Sequence, residues 1–471
     1  MTTDSITGAE AAVAMLKLHG VEFIFGLCGD TSLPFYDALA RLPHGMRHIL
    51  ARDERSAAYM ADGYARVSGK VGVCEGPSGG GVTYILPGLA EANDSSVPLL
   101  AINSDISVGA RGHYTLTELD QGALMRPVTK WNTVVDGAED LPQAFRQAFK
   151  QITTARPGAA HIALPFDVQN GLVARSEVYG DASFGSCPAE RIAPAANSVE
   201  AAARLLTQAR NPVFICGGGV VISQAEPELV ELAERLSAPV ATTISGKCSI
   251  DEQHGLAVGV VGSNGGTPET RAIVDQADLI IFVGCRAGSV TTERWRHPPK
   301  GSTKVIHLDV DGAVPGTNYP TDAALVGDAK LGLKMLNEAL AATRRPLDAA
   351  RVEAAKEQKF AKFQALAESN ETPIKPERVV AELTRALEPD AIVVADAGTP
   401  CPYFSAYYPV RGNGRKFFSN RAHGALGYSM AAAMGAHFAQ PKVKCVAVMG
   451  DGSFGFTCGE LETAARYRLP V

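Results

Sequence analysis

The chain carries no excess of positive charge: 44 Lys and Arg stand against 50 Asp and Glu, a formal net charge of −6. Duplex nucleic acid and anionic membranes both demand concentrated positive charge, so neither is expected as the main partner. No run of ~18 apolar residues is present, so nothing reads as a membrane span. The segment Met1–Glu10 is polar and lacks the apolar core of a signal peptide. Paired cysteines are missing too. Cys28, Cys74, Cys187, Cys216, Cys248, Cys285, Cys401, Cys445 and Cys458 are odd in number, scattered, and nowhere C-x-x-C. A disulfide framework or zinc site is therefore not expected, and a reducing cytoplasm is. Low-complexity tracts and short repeats are absent as well, which excludes solenoids.

What is present is the make-up of a large globular α/β protein. The 471 residues are 46% hydrophobic and 20% charged, enough for about three domains of ~150 residues with real cores. The 47 glycines suit tight strand–helix turns. Ala9–His19 reads as an amphipathic helix ended by Gly20, and Ser56–Val67 as another. Phe23–Gly26, Val71–Cys74 and Leu99–Asn103 read as buried strands. Strands separated by helical patterns predict a mainly parallel sheet covered on both faces. Gly, Ser, Pro and Ala crowd together over 180–195, and the same rhythm then returns in strands Pro212–Cys216, Leu279–Gly284 and Val305–Asp309. Asp348–Ser369 is a charged helical connector, broken by Pro373 and Pro376. Strand Ile392–Ala395, the small-residue helix Ser429–Ala439 and strand Val443–Met449 follow. The expectation is three doubly wound α/β units, 1–185, 190–345 and 377–471, with a linker over 346–376.

Two constellations carry chemistry. In the first, strand Val443–Met449 runs into Gly450-Asp451-Gly452-Ser453-Phe454. The glycines let the backbone approach an anion, and Asp451 offers a hard oxygen to Mg²⁺, which favours few protein ligands plus phosphate oxygens. A tight turn with a satisfied Asp is the plainer alternative. The second is Asp53-Glu54-Arg55-Ser56-Ala57-Ala58, followed by Ala61-Asp62-Gly63-Tyr64-Ala65-Arg66. Here a carboxylate opens a small-residue helix, where it can simply favour the helix N-terminus.

Together these segments resemble the thiamine-diphosphate enzymes. Gly450–Phe454 with Glu460-Leu461 and Thr463-Ala464 is similar to the family's metal-diphosphate motif, and Glu54 lies in a segment like its cofactor-activating Glu segment. The resemblance extends over Phe25–Asp37, Gly76–Thr83, Arg156-Pro157-Gly158 and Leu164–Val168. It implies pyrimidine, central and diphosphate domains. It also implies that Glu54 bonds the aminopyrimidine and favours its imino form, a task for a carboxyl in a dry pocket. Asp451 would hold Mg²⁺, and Pro77, Gly79, Gly398, Thr399, Gly424, Leu426, Gly450, Gly452 and Ser453 would contact the cofactor. Gly424–Tyr428 sits where acetolactate synthases carry Gly-x-Met-Gly, so Leu426 would bend the cofactor and the Gly424 carbonyl would receive its 4′-amino group. The family closes the metal motif with an Asn further on. Only 19 residues follow Gly452 (471 − 452), so the diphosphate domain is expected to be incomplete here.

The departures bear on substrate. Gly29-Asp30-Thr31 and Leu116-Thr117-Glu118 stand where acetolactate synthases carry Gly-Gly-Ala and Phe-Gln-Glu. Asp30 resembles the acid of the matching loop in pyruvate decarboxylases, and His113-Tyr114 partly resembles their His-His pair. The resemblance thus implies a carboligase acting on a small 2-oxo acid, with Glu54, Asp30 and His113 as catalytic candidates. A 2-oxo acid decarboxylase or lyase is the alternative, and a noncatalytic nucleotide-binding homologue a third. Gly217-Gly218-Gly219, Gly284-Cys285-Arg286 and His307–Asp311 fall where acetolactate synthases bind FAD and related decarboxylases ADP; other family members keep this domain empty, and Gly284–Ser289 departs from the family's Gly-x-Arg-Phe-Asp-Asp, against FAD. A homodimer or tetramer, with the site between subunits, is the expected assembly.

Overall fold

The computed structural model describes residues 4–412 and 414–471. They separate into two compact units. The first contains the residues up to Glu190 with Ala422–Ala447 and Asp451–Val471; the second contains Arg191–Arg421 and Val448–Gly450.

The first unit is built on six parallel strands. In chain order these are β1 (Phe23–Gly26), β2 (Arg47–Leu50), β3 (Gly72–Gly76), β4 (Leu99–Asp105), β5 (Trp131–Val134) and β6 (Ala159–Pro165). Their spatial order is β2-β1-β3-β4-β6-β5. Both β4 and β6 are buried along their whole length, as a sheet covered on two faces requires. Helix α1 (Gly8–Leu18) starts at a capping box in which Thr7 and Glu10 exchange bonds. With α2 (Leu33–Arg41) and α5 (Leu141–Thr153) it covers one face. Met15, Leu16, Phe35, Phe145 and Phe149 pack there on Ile24, Val73, Ile102 and Ile162. Helix α3 (Glu54–Ser68) lies against β1 and β3, with α4 (Leu86–Asp94) beside it. Asp53 caps α3 by accepting the Arg55 and Ser56 amides at 2.8 and 3.3 Å, and Gly69 at φ +71° ends it.

A second parallel sheet forms the core of the other unit. Its strands are β7 (Pro212–Cys216), β8 (Val240–Thr242), β9 (Ala257–Val260), β10 (Leu279–Val283), β11 (Lys304–Asp309) and β12 (Ala323–Val326), in the order β9-β8-β7-β10-β11-β12. On one face pack α6 (Ala196–Gln208), α7 (Glu226–Leu236) and α9 (Ala329–Ala339), through Leu206, Leu229, Leu232, Leu333 and Leu336. The other face receives Ile273 and Val274 of α8 (Pro268–Asp275) and Val352 of the connector helix α10 (Ala350–Ala367). The parallel pair β13 (Ile392–Ala395) and β14 (Phe417–Ser419) follows. Asp396 donates its amide to the Val448 carbonyl at 2.8 Å.

The chain then returns to the first unit with α11 (Tyr428–Ala439), α12 (Asp451–Thr457) and α13 (Glu460–Tyr467). Helix α11 lies directly on α3. A Cβ on Gly63 would meet the Ala432 carbonyl oxygen at 2.1 Å, and one on Gly435 the Met60 oxygen at 1.9 Å. Glycine at both crossings is what lets the two backbones touch. The Ala- and Gly-rich composition of α11 thereby acquires its reason. Among the described residues no helix is long and apolar enough to cross a membrane.

Candidate active site

Glu54 is the first residue of α3 and is 9% exposed. Its side chain lies along the turn that follows β3. A Cβ on Gly76 would sit 3.2 Å from Glu54 Cγ, and one on Gly81 would sit 3.1 Å from Glu54 Oε1 and 2.6 Å from Pro77 Cδ. Any residue larger than glycine at 76 or 81 would intrude on the carboxyl. Among the described residues no side chain bonds that carboxyl. Burial raises it above its ordinary range, and Asp53 adds to the rise. A partly dry carboxyl thus lies close beside Gly76, Gly81 and Pro77.

The neighbouring loops converge through hydroxyl groups. Asp30 is exposed in the short 3₁₀ turn Asp30–Ser32. The next residue, Thr31, bonds Ser78 at 3.0 Å and Ser104 at 2.8 Å, and Ser78 in turn meets Thr117 at 2.8 Å. Thr117 has φ +68° and fills the room beside Gly79, where a Cβ would lie 2.7 Å from its Cγ2. The loop of His113 is thereby tied to the turn of Asp30. His113 itself is exposed, and Glu118 braces the loop by accepting the Gly112 and Thr115 amides at 2.6 and 3.2 Å.

The start of α3 also grips the C-terminal helices. Arg55 donates to the Phe456 carbonyl at 2.8 Å and stacks over the Phe456 ring at 5.3 Å. The Arg52 amide donates to Glu460 at 2.9 Å. Asp451 and Gly452 are exposed at the opening of α12, and Ser453 is buried. Leu426 is 39% exposed, so it is not a core-packing residue. It follows Gly424 in a turn that Gly427 closes at φ +87°. That turn is tethered to α4, because the His423 amide donates to Glu91 at 2.8 Å. Glu91 and Asp62 both pair with the buried Arg66, at 3.2 and 2.6 Å, and Tyr428 bonds Asp62. The segments of Glu54, Leu426 and Asp451 lie in the same unit.

Three family descriptions match this chain: the N-terminal thiamine pyrophosphate-binding domain over residues 6–124, the thiamine pyrophosphate enzyme central domain over 199–336, and the C-terminal thiamine pyrophosphate-binding domain over 396–471. A probable acetolactate synthase large subunit of Methanocaldococcus jannaschii is 36% identical over 98% of this chain and 79% of its own length. The acetolactate synthase of Arthrospira platensis is 34% identical over 99% and 81%. The acetolactate synthase isozyme 3 large subunit of Escherichia coli is 31% identical, again over 99% and 81%. The chain belongs to the acetolactate synthase-like thiamine-diphosphate enzymes.

The residues present fit that cofactor. Glu54 offers a buried acid without a side-chain partner among the described residues, as a ring nitrogen needs. In the first unit Gly452 has no atom within 4 Å of where a Cβ would stand. In the second unit the same holds for Gly450 and for Gly398, which has φ +90° and leads through Thr399 into a helix at Pro400. Space of this kind lets a ligand approach the backbone closely. The central glycines behave differently. A Cβ on Gly217 would meet the Gly284 oxygen at 2.1 Å, while the Gly217 and Gly219 amides already bond Val283 and Gly284 carbonyls. His307 bonds the Cys285 carbonyl at 2.7 Å, and Asp309 accepts the Asp311 amide at 3.0 Å. Gly217 and Gly219 thus pack closely against the end of β10.

Sequence reasoning passed over the hydroxyl chain Thr31–Ser78–Thr117, the Arg66 network, and Glu75. Glu75 had a visible signal: an acid inside a strand that is buried throughout.

Proposed function

We propose that this thiamine-diphosphate enzyme is a Mg²⁺-dependent carboligase, which releases CO₂ from one small 2-oxo acid and joins the remaining fragment to a second carbonyl compound. The observation that carries the reading is the buried carboxyl of Glu54, unpartnered by other side chains, at a helix start on which the Asp451 and Glu460 helices dock. The names of the relatives support carboligation. Thiamine diphosphate, when bound, supplies the carbon nucleophile and the electron sink. Glu54 then holds a proton at the pyrimidine ring nitrogen, and Pro77 and Gly79 shape the wall beside it. Asp451 would hold Mg²⁺, with Gly452 and Ser453 of the same unit offering close backbone or hydroxyl contacts to the diphosphate. Leu426 and the Gly424 carbonyl orient the ring. Asp30 and His113 are the acid and imidazole nearest the substrate entrance in this reading. The three-domain division, the cytoplasmic location and the homodimer or tetramer belong to the same proposal.

Replacing Glu54 by Gln removes the exchangeable proton while keeping the shape. Turnover of pyruvate with Mg²⁺ and cofactor should fall by about 10²–10⁴-fold, the span typical of general acid–base groups, with an unchanged far-UV spectrum. Near-normal turnover would defeat the reading. Decarboxylation without ligation is the second reading, favoured by the hydroxyl bridge that brings the Asp30 and His113 loops together. Acetolactate as product supports the first reading; acetaldehyde supports the second. A flavin in the central unit has its own readout, a visible absorption band in the purified protein.

A further inference from the structure

Behind Glu54 lies a second buried acid. Glu75 is the penultimate residue of β3, 1% exposed, and is followed by the Gly76 against which Glu54 packs. Its Oε2 accepts the Tyr36 hydroxyl at 2.6 Å, and its Oε1 is buried without a hydrogen bond among the described residues. The Tyr36 oxygen also lies 3.0 Å from His48 Nε2, on the edge strand β2, with the two rings edge to face at 4.9 Å. His48 is half-buried. One carboxyl, one phenol and one imidazole thus form an unbroken hydrogen-bonded row from the sheet edge to the strand end beside Glu54. Among the described residues no cation faces Glu75: its titratable neighbours are Tyr36 from α2, Cys28 from the turn after β1, Glu54 from α3 and Cys74 on its own strand.

We propose that Glu75 is a positioning residue, kept neutral in the interior and able to exchange its proton through Tyr36 and His48, whose ionisation sets the upper pH limit for the work of Glu54. The inference rests on the reading of Glu54 as the proton-handling acid. The row carries a proton either way. With Glu75 neutral, its O–H donates to Tyr36, and Tyr36 donates to an unprotonated His48 Nε2. With Glu75 ionised, Tyr36 donates to the carboxylate and His48 Nε2–H donates to Tyr36. Passing between these states moves the Glu75 proton to Tyr36 and the Tyr36 proton to His48 Nε2. The Nδ1 proton leaves to water, so one negative charge remains, on Glu75. Burial supports the neutral form: it pushes Glu75 up to about 8, against Tyr36 and Ser32, while the charge of Glu54 adds to the rise. Burial likewise pushes His48 down to about 4, so the imidazole is a neutral link in the row. Once Glu75 ionises, a second anion stands near Glu54, and its release of a proton is opposed.

Infrared titration of the cofactor-free protein tests the first half. The wild type minus Glu75→Gln difference should show a protonated-carboxyl band at pH 7 that disappears near pH 8. In Tyr36→Phe the band should persist at a shifted frequency, and in Glu54→Gln it should titrate at lower pH. No such band, or one that the Glu54 substitution leaves unmoved, overturns the proposal. The second half is read on the holoenzyme. The kcat/KM profile of the wild type should fall through an alkaline transition near pH 8 that Glu75→Gln removes; a transition unchanged in that variant also overturns it. Full activity of Glu54→Gln would instead sink the functional reading, and the infrared result would stand apart from it.

Discussion

At the scale of single residues, the site is organised by charges that have left water. Arg66 is buried between Asp62 and Glu91, all three nearly inaccessible. Such a triad stabilises only while it is complete, because removing one partner leaves an uncompensated charge in the interior. Arg66→Met is therefore expected to cost about 3–5 kcal/mol in urea denaturation, far above an ordinary surface change. A loss under 1 kcal/mol would contradict the account of the triad. The same residues hold the Leu426 turn, since Glu91 accepts the His423 amide and Asp62 accepts the Tyr428 hydroxyl. Asp62 and Arg66 stand four apart on α3, so their pairing was open to prediction from spacing alone. Glu91 was not, because nothing in the sequence says which helix will lie beside α3.

At the scale of elements, periodicity and punctuation located β1, β3, β4, β7, β10, β11, β13, α1, α3, α10 and α11, and left others, such as β2, β5 and α5, unread. Strands Phe23–Gly26, Pro212–Cys216 and Ile392–Ala395 appear with the expected bounds. Helix α3 begins at Glu54 rather than Ser56, because Asp53 caps it and brings two further residues into the first turn. Strand β4 runs on to Asp105 rather than ending at Asn103, since the polar residues Asn103, Ser104 and Asp105 are buried and paired along β6. Hydropathy alone ends a strand where polar residues begin, and it does so too early where a sheet is covered on both faces. The small-residue character of Ser429–Ala439 was equally plain, but its partner was not: a close crossing is a property of two helices, and one sequence segment shows only half of it. Gly435→Ala should be destabilising by about 1–3 kcal/mol through overpacking, even though alanine favours a helix by ~1 kcal/mol over glycine. A gain in urea midpoint would show that the helices do not touch at Gly435.

At the scale of the whole molecule, two motifs far apart in the chain serve one unit. The segment from Arg52 to Arg55 binds Phe456 and Glu460, so the helix start at Glu54 and the helices that follow Gly450 are physically joined. Motif recognition made both ends legible, because the glycine turns and flanking acids are local. The loops of Asp30 and His113 were legible only as departures from the family pattern. Thr31, Ser78 and Thr117 meet through a fold contact, and no spacing in the sequence announces it. The row from Glu75 to His48 was hidden for the same reason, although an acid at the end of an apolar strand marked where to look.

The central claim is that Glu54 and Asp451 serve a single bound thiamine diphosphate. Calorimetric titration of the protein with that cofactor, in the presence and absence of Mg²⁺, tests it most directly. The account predicts saturable uptake with Mg²⁺ that is lost in Asp451→Ala and weakened in Glu54→Gln. No uptake by the wild-type protein with Mg²⁺ present, or uptake indifferent to both substitutions, would contradict it.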